Sequence, residues 1–295
     1  MRYILLKIIL FFTSLIIGSV SGICQSSNLT AKIIDQKTKQ PITGVVVLNL
    51  SNPRSATYTD EEGVFSLFVA KKDSLKISCI GYKDSIVKNF EIFSLPTIEL
   101  SPYFILLDEV VVNNSLKRSS STLGYIGNEY KTFYQGGSKG SILLIFVPNE
   151  DSSKNRVITK LKYELRSINR ENEKVNKGVV RVRLYSLSDT AIYPKSDLLQ
   201  ENIIQTIPLK NKQTLIVDIS KYKISFPANG VFVGLEWLGE KNNSYEINLN
   251  PAFVAIKSKV DPFSFISFYG KPFVHVNKML DSYYTNMFGI EVEEY

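Results

Sequence analysis

The chain has 295 residues, a formal net charge of +7 and 44% apolar residues. That is enough apolar material for two packed cores, and the thinly spread positive excess, with no basic block, excludes a nucleic-acid binder. A single histidine, His275, excludes zinc catalysis, which needs three protein ligands that normally include histidines.

The N-terminus reads as an export leader. Arg2 and Lys7 precede an apolar run from Ile8 to Val20, followed by Ser21-Gly22-Ile23-Cys24-Gln25. The run falls short of the ~20 apolar residues that a membrane span needs. The leader is placed at residues 1–24, with cleavage before Gln25 or after Gly22. An uncleaved anchor and lipidation at Cys24 are the alternatives, and the bulk of Ile23 opposes the second. No later segment is apolar for long enough to span a bilayer. Once the leader is removed, Cys79 is the sole thiol and no intrachain disulfide can form. Cys79 shares strand parity with Leu75 and Ile77, which assigns it to a core as a small hydrophobe.

Residues 25–112 make the first predicted module. Ala31 to Asp35 reads as a strand, and the chain restarts after Pro41 and Gly44 with Val45-Val46-Val47. Asp60-Glu61-Glu62-Gly63 is a tight turn whose glycine supplies a positive φ. After it, Phe65, Leu67 and Val69 face one way and Val64, Ser66 and Phe68 the other, the period of a sandwich strand. Lys71 to Ser74 turns the chain, Leu75 to Cys79 is the next strand, and Gly81 closes it. Thr97 to Leu100 and Glu109 to Val112 add two short strands. The acids of the Asp60 turn have the oxygen chemistry of a calcium site, or are solvated turn residues.

Several of these positions together carry a resemblance: Ile34-Asp35, Pro41-Ile42, Gly44-Val45, Thr59-Asp60, Glu62-Gly63, Phe65, Leu67, Leu75, Ile77-Ser78 and Ile80-Gly81-Tyr82. The segment resembles the carboxypeptidase regulatory-like domain, a transthyretin-like seven-stranded sandwich common in exported proteins of the Bacteroidetes. The resemblance implies an accessory module with no metal and no chemistry of its own. Cys79 departs from the aromatic or aliphatic residue more usual there, which touches packing only. Leu107 to Val112 resembles the linker that follows this domain in outer-membrane transporters. Roughly 180 residues follow it, too few for a plugged barrel of 22 strands.

A polar stretch at 113–122 reads as a linker, and residues 123–295 as a second β-sandwich. Strands are predicted at Ser141–Val147, Val157–Ser167, Gly178–Tyr185, Thr214–Ile219, Gly230–Leu238, Ala252–Lys257 and Phe263–Tyr269. Alternation within Arg181–Tyr185 turns Val182 and Leu184 to the core. Val231, Val233, Leu235 and Trp237 share a face, which leaves Glu236 pointing outward. Short strands without helical periods between them indicate an all-β, jelly-roll-like fold. The motifs at Leu123-Gly124-Tyr125, Val182–Tyr185, Asp197–Asn202, Val217–Tyr222 and Gly230–Trp237 resemble a β-rich region beside the first module in Bacteroidetes proteins of unassigned role. That resemblance implies architecture and no activity.

Three features of this half bear on chemistry. Gly136-Gly137-Ser138-Lys139-Gly140 has the spacing of a nucleophile elbow, with His275 later in the chain, but such an elbow joins a strand to a helix. Here a strand follows, so the motif reads as a glycine-rich loop and His275 as structural. Glu236 and Glu240 are two carboxylates of the kind glycosidases pair, yet no spacing sets them across a cleft. The aromatics Phe263, Phe265, Phe268, Tyr269, Phe273, Tyr283, Tyr284 and Phe288 fit either a core or a sugar-stacking or partner surface. Asp73-Ser74-Leu75, Asp84-Ser85-Ile86 and Asp189-Thr190-Ala191 resemble the O-glycosylation triplet of the same phylum.

The expectation is therefore an all-β protein of two sandwiches behind a signal peptide, exported to the periplasm, outer membrane or surface of a Gram-negative envelope. It is expected to be non-catalytic, to need no cofactor or metal, and to bind a glycan or an envelope protein. Its polar groups are expected not to gather into a reaction centre. The alternatives are a hydrolase using Ser138, His275 or the carboxylate pair, and a purely structural spacer.

Overall fold

The computed structural model describes residues 26–70, 72–88, 97–103, 119–127, 132–166, 177–208, 213–240, 249–258, 260–276 and 283–294. The leader at 1–24 with Cys24, the strand expected at 109–112 and residues 113–118 of the linker lie outside the described residues. Apart from 3-10 helix at Ser220–Tyr222 and at Val276, the described residues are strands and their connections. None of the described helices is long and apolar enough to cross a membrane.

Seven strands build the first module: β1 (Ser26–Asp35), β2 (Val46–Asn49), β3 (Ala56–Tyr58), β4 (Val64–Ala70), β5 (Ser74–Ser78), β6 (Ser85–Lys88) and β7 (Thr97–Leu100). They form a three-stranded sheet in the order β4-β1-β7 and a four-stranded sheet in the order β3-β2-β5-β6. The parity read from the sequence holds in β4, where Phe65, Leu67 and Val69 are buried and Phe68 is 64% exposed. The turn before β4 is held by Asp60, whose Oδ1 accepts the N–H groups of Glu62 at 3.1 Å and Val64 at 2.8 Å. Gly63 takes φ +74° there, and a Cβ would sit 2.6 Å from the Ile33 carbonyl. Leu29, Ala31, Ile33, Val45, Val47, Leu75, Ile77, Cys79 and Leu100 join the β4 residues in one core between the two sheets.

The remaining strands are β8 (Ser120–Gly124), β9 (Thr132–Gly137), β10 (Ser141–Val147), β11 (Arg156–Arg166), β12 (Lys177–Leu187), β13 (Pro194–Asp197), β14 (Ile204–Pro208), β15 (Gln213–Asp218), β16 (Ile224–Ser225), β17 (Val231–Glu240), β18 (Leu249–Ser258), β19 (Phe265–Phe268), β20 (Val274–His275), β21 (Tyr283–Asn286) and β22 (Phe288–Glu294). Ser120 to Thr122, read from sequence as linker, belong instead to β8, which pairs with β22. A sheet-edge strand held by backbone pairing can carry an exposed polar sequence, so composition alone hides it.

One sheet has the order β13-β12-β17-β10-β19-β20, with β14 also on β12. The other runs β21-β18-β11-β22-β8, with β15 and β16 on β11 and β9 on β18. Val182, Leu184, Val233, Leu235 and Trp237 of the first sheet pack on Leu161, Tyr163, Phe253, Phe288 and Ile290 of the second. Trp237 and Phe253 meet edge to face with centroids 3.7 Å apart. This is the expected second sandwich.

The back of its seven-stranded sheet is covered too. Val46, Leu48 and Tyr58, on the outer side of the first module's four-stranded sheet, cluster with Leu238 and Tyr269 of the second. Tyr58 and Tyr269 have ring centroids 5.3 Å apart. Four sheets therefore stack in the order three-, four-, seven- and eight-stranded, and every residue of β2 is buried.

The assignment of faces makes a direct prediction. Leu75→Ala, inside the first core, is expected to lower stability by about 2–5 kcal/mol. Phe68→Ser on the open face of β4 should stay within about 0.5 kcal/mol of the parent. Chemical denaturation monitored by fluorescence checks both.

Candidate functional site

Strand parity sends Arg181, Arg183 and Tyr185 of β12 to the side opposite Val182 and Leu184. It sends Glu236 of β17 to that same side, directly across from Arg181 in register. Asp197, at the end of β13, lies across from Tyr185. Three neighbouring strands thus set two guanidiniums and two carboxylates on one sheet face. The first module then closes over that face.

Glu236 is not outward-facing but completely buried. The parity was right, since it does oppose Trp237. What the opposite side faces is another protein layer. Tyr58 Oη, from β3 of the first module, donates to Glu236 Oε1 at 2.7 Å. Arg181 Nη1 donates to Glu236 Oε2 at 3.1 Å, and Arg183 Nη1 lies 3.3 Å from the same oxygen. Arg181 Nη2 reaches across to donate to the Gly44 carbonyl, so Arg181, 1% exposed, touches both modules. A carboxylate in a dry site is tolerable only when paired and hydrogen-bonded, and Glu236 has both. The polar groups gather here into a paired, buried cluster that parity alone did not reveal.

Asp197 completes the row. Its Oδ1 accepts the Leu199 N–H at 2.9 Å, which shapes the loop after β13. Arg183 Nε is 3.1 Å from Asp197 Oδ2, but its aligned hydrogen bond goes to the Tyr185 hydroxyl at 3.0 Å. The Asp197 contact is thus an ion pair without a directed hydrogen bond. Burial lifts the Asp197 carboxyl to about 6, against the pull of Arg183 in the other direction. Burial, reinforced by Glu236, pushes the Tyr58 hydroxyl well above the ordinary tyrosine value, so it acts as a donor throughout the physiological range. Burial also raises the Cys79 thiol, which keeps it protonated and unreactive.

Open space lies along the seam. A chamber of about 330 Å³ is lined by Ser78, Cys79, Arg181, Arg183, Asp197 and Glu236, among others. A cleft of about 690 Å³ shares Cys79, Asp84 and Asp197 with it and extends past Tyr82, Tyr103 and Ser196. A second cleft of about 570 Å³ lies beside Asp35, Gln40, Thr43, Gln200 and Asn202. Between the two clefts the modules touch: a Cβ at Gly81 would meet the Gln200 carbonyl at 2.5 Å. Asn202 Nδ2 also donates to the Thr43 carbonyl at 2.7 Å.

Apart from Glu236 and Tyr269, the residues singled out from sequence lie elsewhere. Ser138 sits in the turn between β9 and β10, where Ser141 Oγ donates to its carbonyl at 2.7 Å. The glycines around it answer to packing, since Cβ atoms at Gly137 and Gly140 would run into the rings of Trp237 and Tyr269. His275 Nε2 is 3.0 Å from Asp261 Oδ1, beside Phe263 and Phe265. It is level with Leu144, two strands away from β10. Ser138 precedes β10 altogether, so His275 lies roughly 10 Å along and 10 Å across from even Ser141.

Glu240 is four residues beyond Glu236 on β17, about 13 Å by strand rise. The side chain of Glu240 lies outside what the structure describes. Asp60 is occupied by its turn, and among the described residues no trio of His, Cys, Asp or Glu could hold a metal. Of the late aromatics, Phe265 and Phe288 are buried, Tyr269 packs at the seam, and Phe268 and Tyr283 are exposed on different sheets. Phe263, Phe265 and Phe273 cluster with Phe146, Tyr185, Tyr193 and Phe232 on one face of the seven-stranded sheet, packed ring against ring.

Residues 29–112 match the family model of the CarboxypepD_reg-like domain, a non-catalytic type of module, and the match spans β1 to β7. No curated protein matches the chain. Among solved structures, a particle of infectious bursal disease virus, Gx strain, aligns at 9% identity over 91% of this chain and 65% of that one, with a TM-score of 0.27. The T13 particle of the same virus aligns at 9% over 91% and 58%, with a TM-score of 0.28. The chain spans less than two thirds of either viral chain, and likeness at that score carries no argument.

Removing the central carboxylate tests the seam. Glu236→Ala strips Arg181 and Arg183 of their shared partner and is expected to cost about 3–5 kcal/mol in chemical denaturation. Asp197 supplies a pH signature. Its folded carboxyl titrates near 6 against an ordinary value of 3.8, so the folded chain holds the proton more tightly. That contribution to stability is complete below about 3.8 and is lost as pH rises through about 6. The stability of wild type relative to Asp197→Asn should therefore fall between about pH 4 and 6, by on the order of 2–3 kcal/mol. Asp35, Asp73 and Glu291 have lowered values and act in the opposite sense; being common to both proteins, they cancel in the difference.

Proposed function

We infer that this chain is a non-catalytic binding protein of a Gram-negative cell envelope, exported behind the leader at residues 1–24, whose two modules present a ligand site along their seam. The observation that carries the reading is the position of the clefts: they lie where the two modules meet, and residues from both line them. Ligand sites concentrate at such junctions, in spaces of about 300–1,000 Å³ with a few convergent polar groups. The partner is drawn from the glycans and proteins of the envelope.

Two further observations support it. The first module matches a domain type without chemistry of its own. Ser138 stands apart from His275, and Glu236 is held by Tyr58 and two arginines. A pure spacer accounts for the tight contact between modules but gives no reason for a chamber lined by charged side chains.

Ser196 is exposed at the edge of the larger cleft, so Ser196→Trp plugs the cleft without disturbing a core. Wild type and this variant, as residues 25–295, are to be compared on a glycan array and in pull-downs from envelope extract. The expected outcome is a wild-type partner whose binding weakens at least tenfold in the plugged variant. Equal binding by both would refute the seam as the site.

A further inference from the structure

The chamber at the seam is chemically specific in two respects. Its charges balance: Arg181 and Arg183 stand against Glu236 and Asp197, and Asp84, which also lines it, is paired with Lys76 at 2.8 Å. An anion entering it meets carboxylates as well as guanidiniums, and so does a cation, so neither gains a net Coulombic attraction to offset lost hydration. An uncharged guest loses the least. The second respect is hydrogen bonding. Arg181 Nε, on a residue 1% exposed, is a buried donor with no partner in the protein, and Asp197 Oδ2 is a buried acceptor without a directed hydrogen bond. Groups left so are costly, and native structures rarely leave them without a partner.

A guest that suits both must offer donors and acceptors side by side. Hydroxyl groups do this, since each both donates and accepts. The volume has room for more than one solvent molecule: water takes ~30 Å³ in the liquid, against about 330 Å³ in the chamber. Beyond it, the cleft adds an aromatic wall, with Tyr103 52% exposed, beside the polar Lys83, Asp84 and Ser196. An aromatic face with a polar surround is the complement of a ring that is apolar on its faces and hydroxylated at its rim.

We propose that the chamber and its outer cleft bind a neutral sugar, whose hydroxyls donate to Asp197 Oδ2 and accept from Arg181 Nε while its ring extends toward Tyr103. This rests on the seam reading above and narrows it to one ligand class. A charged or extended protein segment is the competing occupant. Balanced charge disfavours the first, and the small volume of the chamber, about 330 Å³, disfavours the second.

The test is ligand-observed saturation-transfer NMR on the full chain, with methyl glycosides of glucose, galactose, mannose and N-acetylglucosamine as probes. Acetate and tetramethylammonium serve as charged counterparts. The expected result is transfer to at least one glycoside, none to either ion, and a loss of at least tenfold in apparent affinity in both Ser196→Trp and Asp197→Ala. Ser196→Trp keeps the comparison sound should Asp197→Ala fold poorly. Absence of transfer to all four glycosides, equal transfer in Ser196→Trp, or equal response to the ions would overturn the proposal. The seam reading falls separately, when Ser196→Trp leaves binding to an envelope partner unchanged.

Discussion

Glu236 carries a charge into a place water does not reach, and it is held there by donors from two different modules. Tyr58 comes from the first sandwich, Arg181 and Arg183 from the second, and Arg181 also reaches the Gly44 carbonyl of the first. Neither module can be lifted away without leaving unpaired charge or exposing the Val46, Leu48 and Tyr58 cluster. Buried ion pairs contribute little net stability against an apolar replacement, but breaking one costs several kcal/mol. Their effect here is to define one docking geometry: the guanidiniums, the carboxylate and the phenol meet in a single register.

The surrounding fold follows from that layer. β2, β12 and β17 are buried on both faces, with an apolar core on one side and the seam on the other. The apolar cores supply most of the stabilisation, about 1.5–3 kcal/mol for each large side chain fully buried. The polar layer supplies orientation. Gly81 and Gln200 bring the backbones into contact at one point, and clefts open on either side because loops, not strands, meet there.

Asp197 ties the seam to its open spaces. One oxygen shapes the loop from Leu198 to Gln200, which lines both clefts, and the other faces Arg183. A first module with no chemistry of its own still has a part in this arrangement, because its four-stranded sheet is the roof over Arg181 and Glu236. Accessory is then a matter of catalysis only: the space at the seam exists because both modules wall it.

Much of the architecture was legible in the residues. Alternation in Val64–Ala70 placed Phe65, Leu67 and Val69 inside, and Val182, Leu184, Val233, Leu235 and Trp237 were assigned to the right core. Ser138 to Gly140 form the turn into a strand that was read from the glycines, whereas Gly136 and Gly137 end β9, a strand not read from sequence. The parity readings succeed because a strand's period of two is a local property. The burial of Glu236 was not legible, nor were Arg181, Arg183, Asp197 and Tyr58 as one group, since they lie up to 178 residues apart. A hint existed: Val45–Leu48, Ile142–Val147 and Val231–Leu235 are apolar at both parities, the mark of a strand covered on two sides. Parity separates one face from the other but cannot say what each face meets. That was decided only when a second sheet came to rest on the first, because the energy of a charge depends on whether water or protein lies against it.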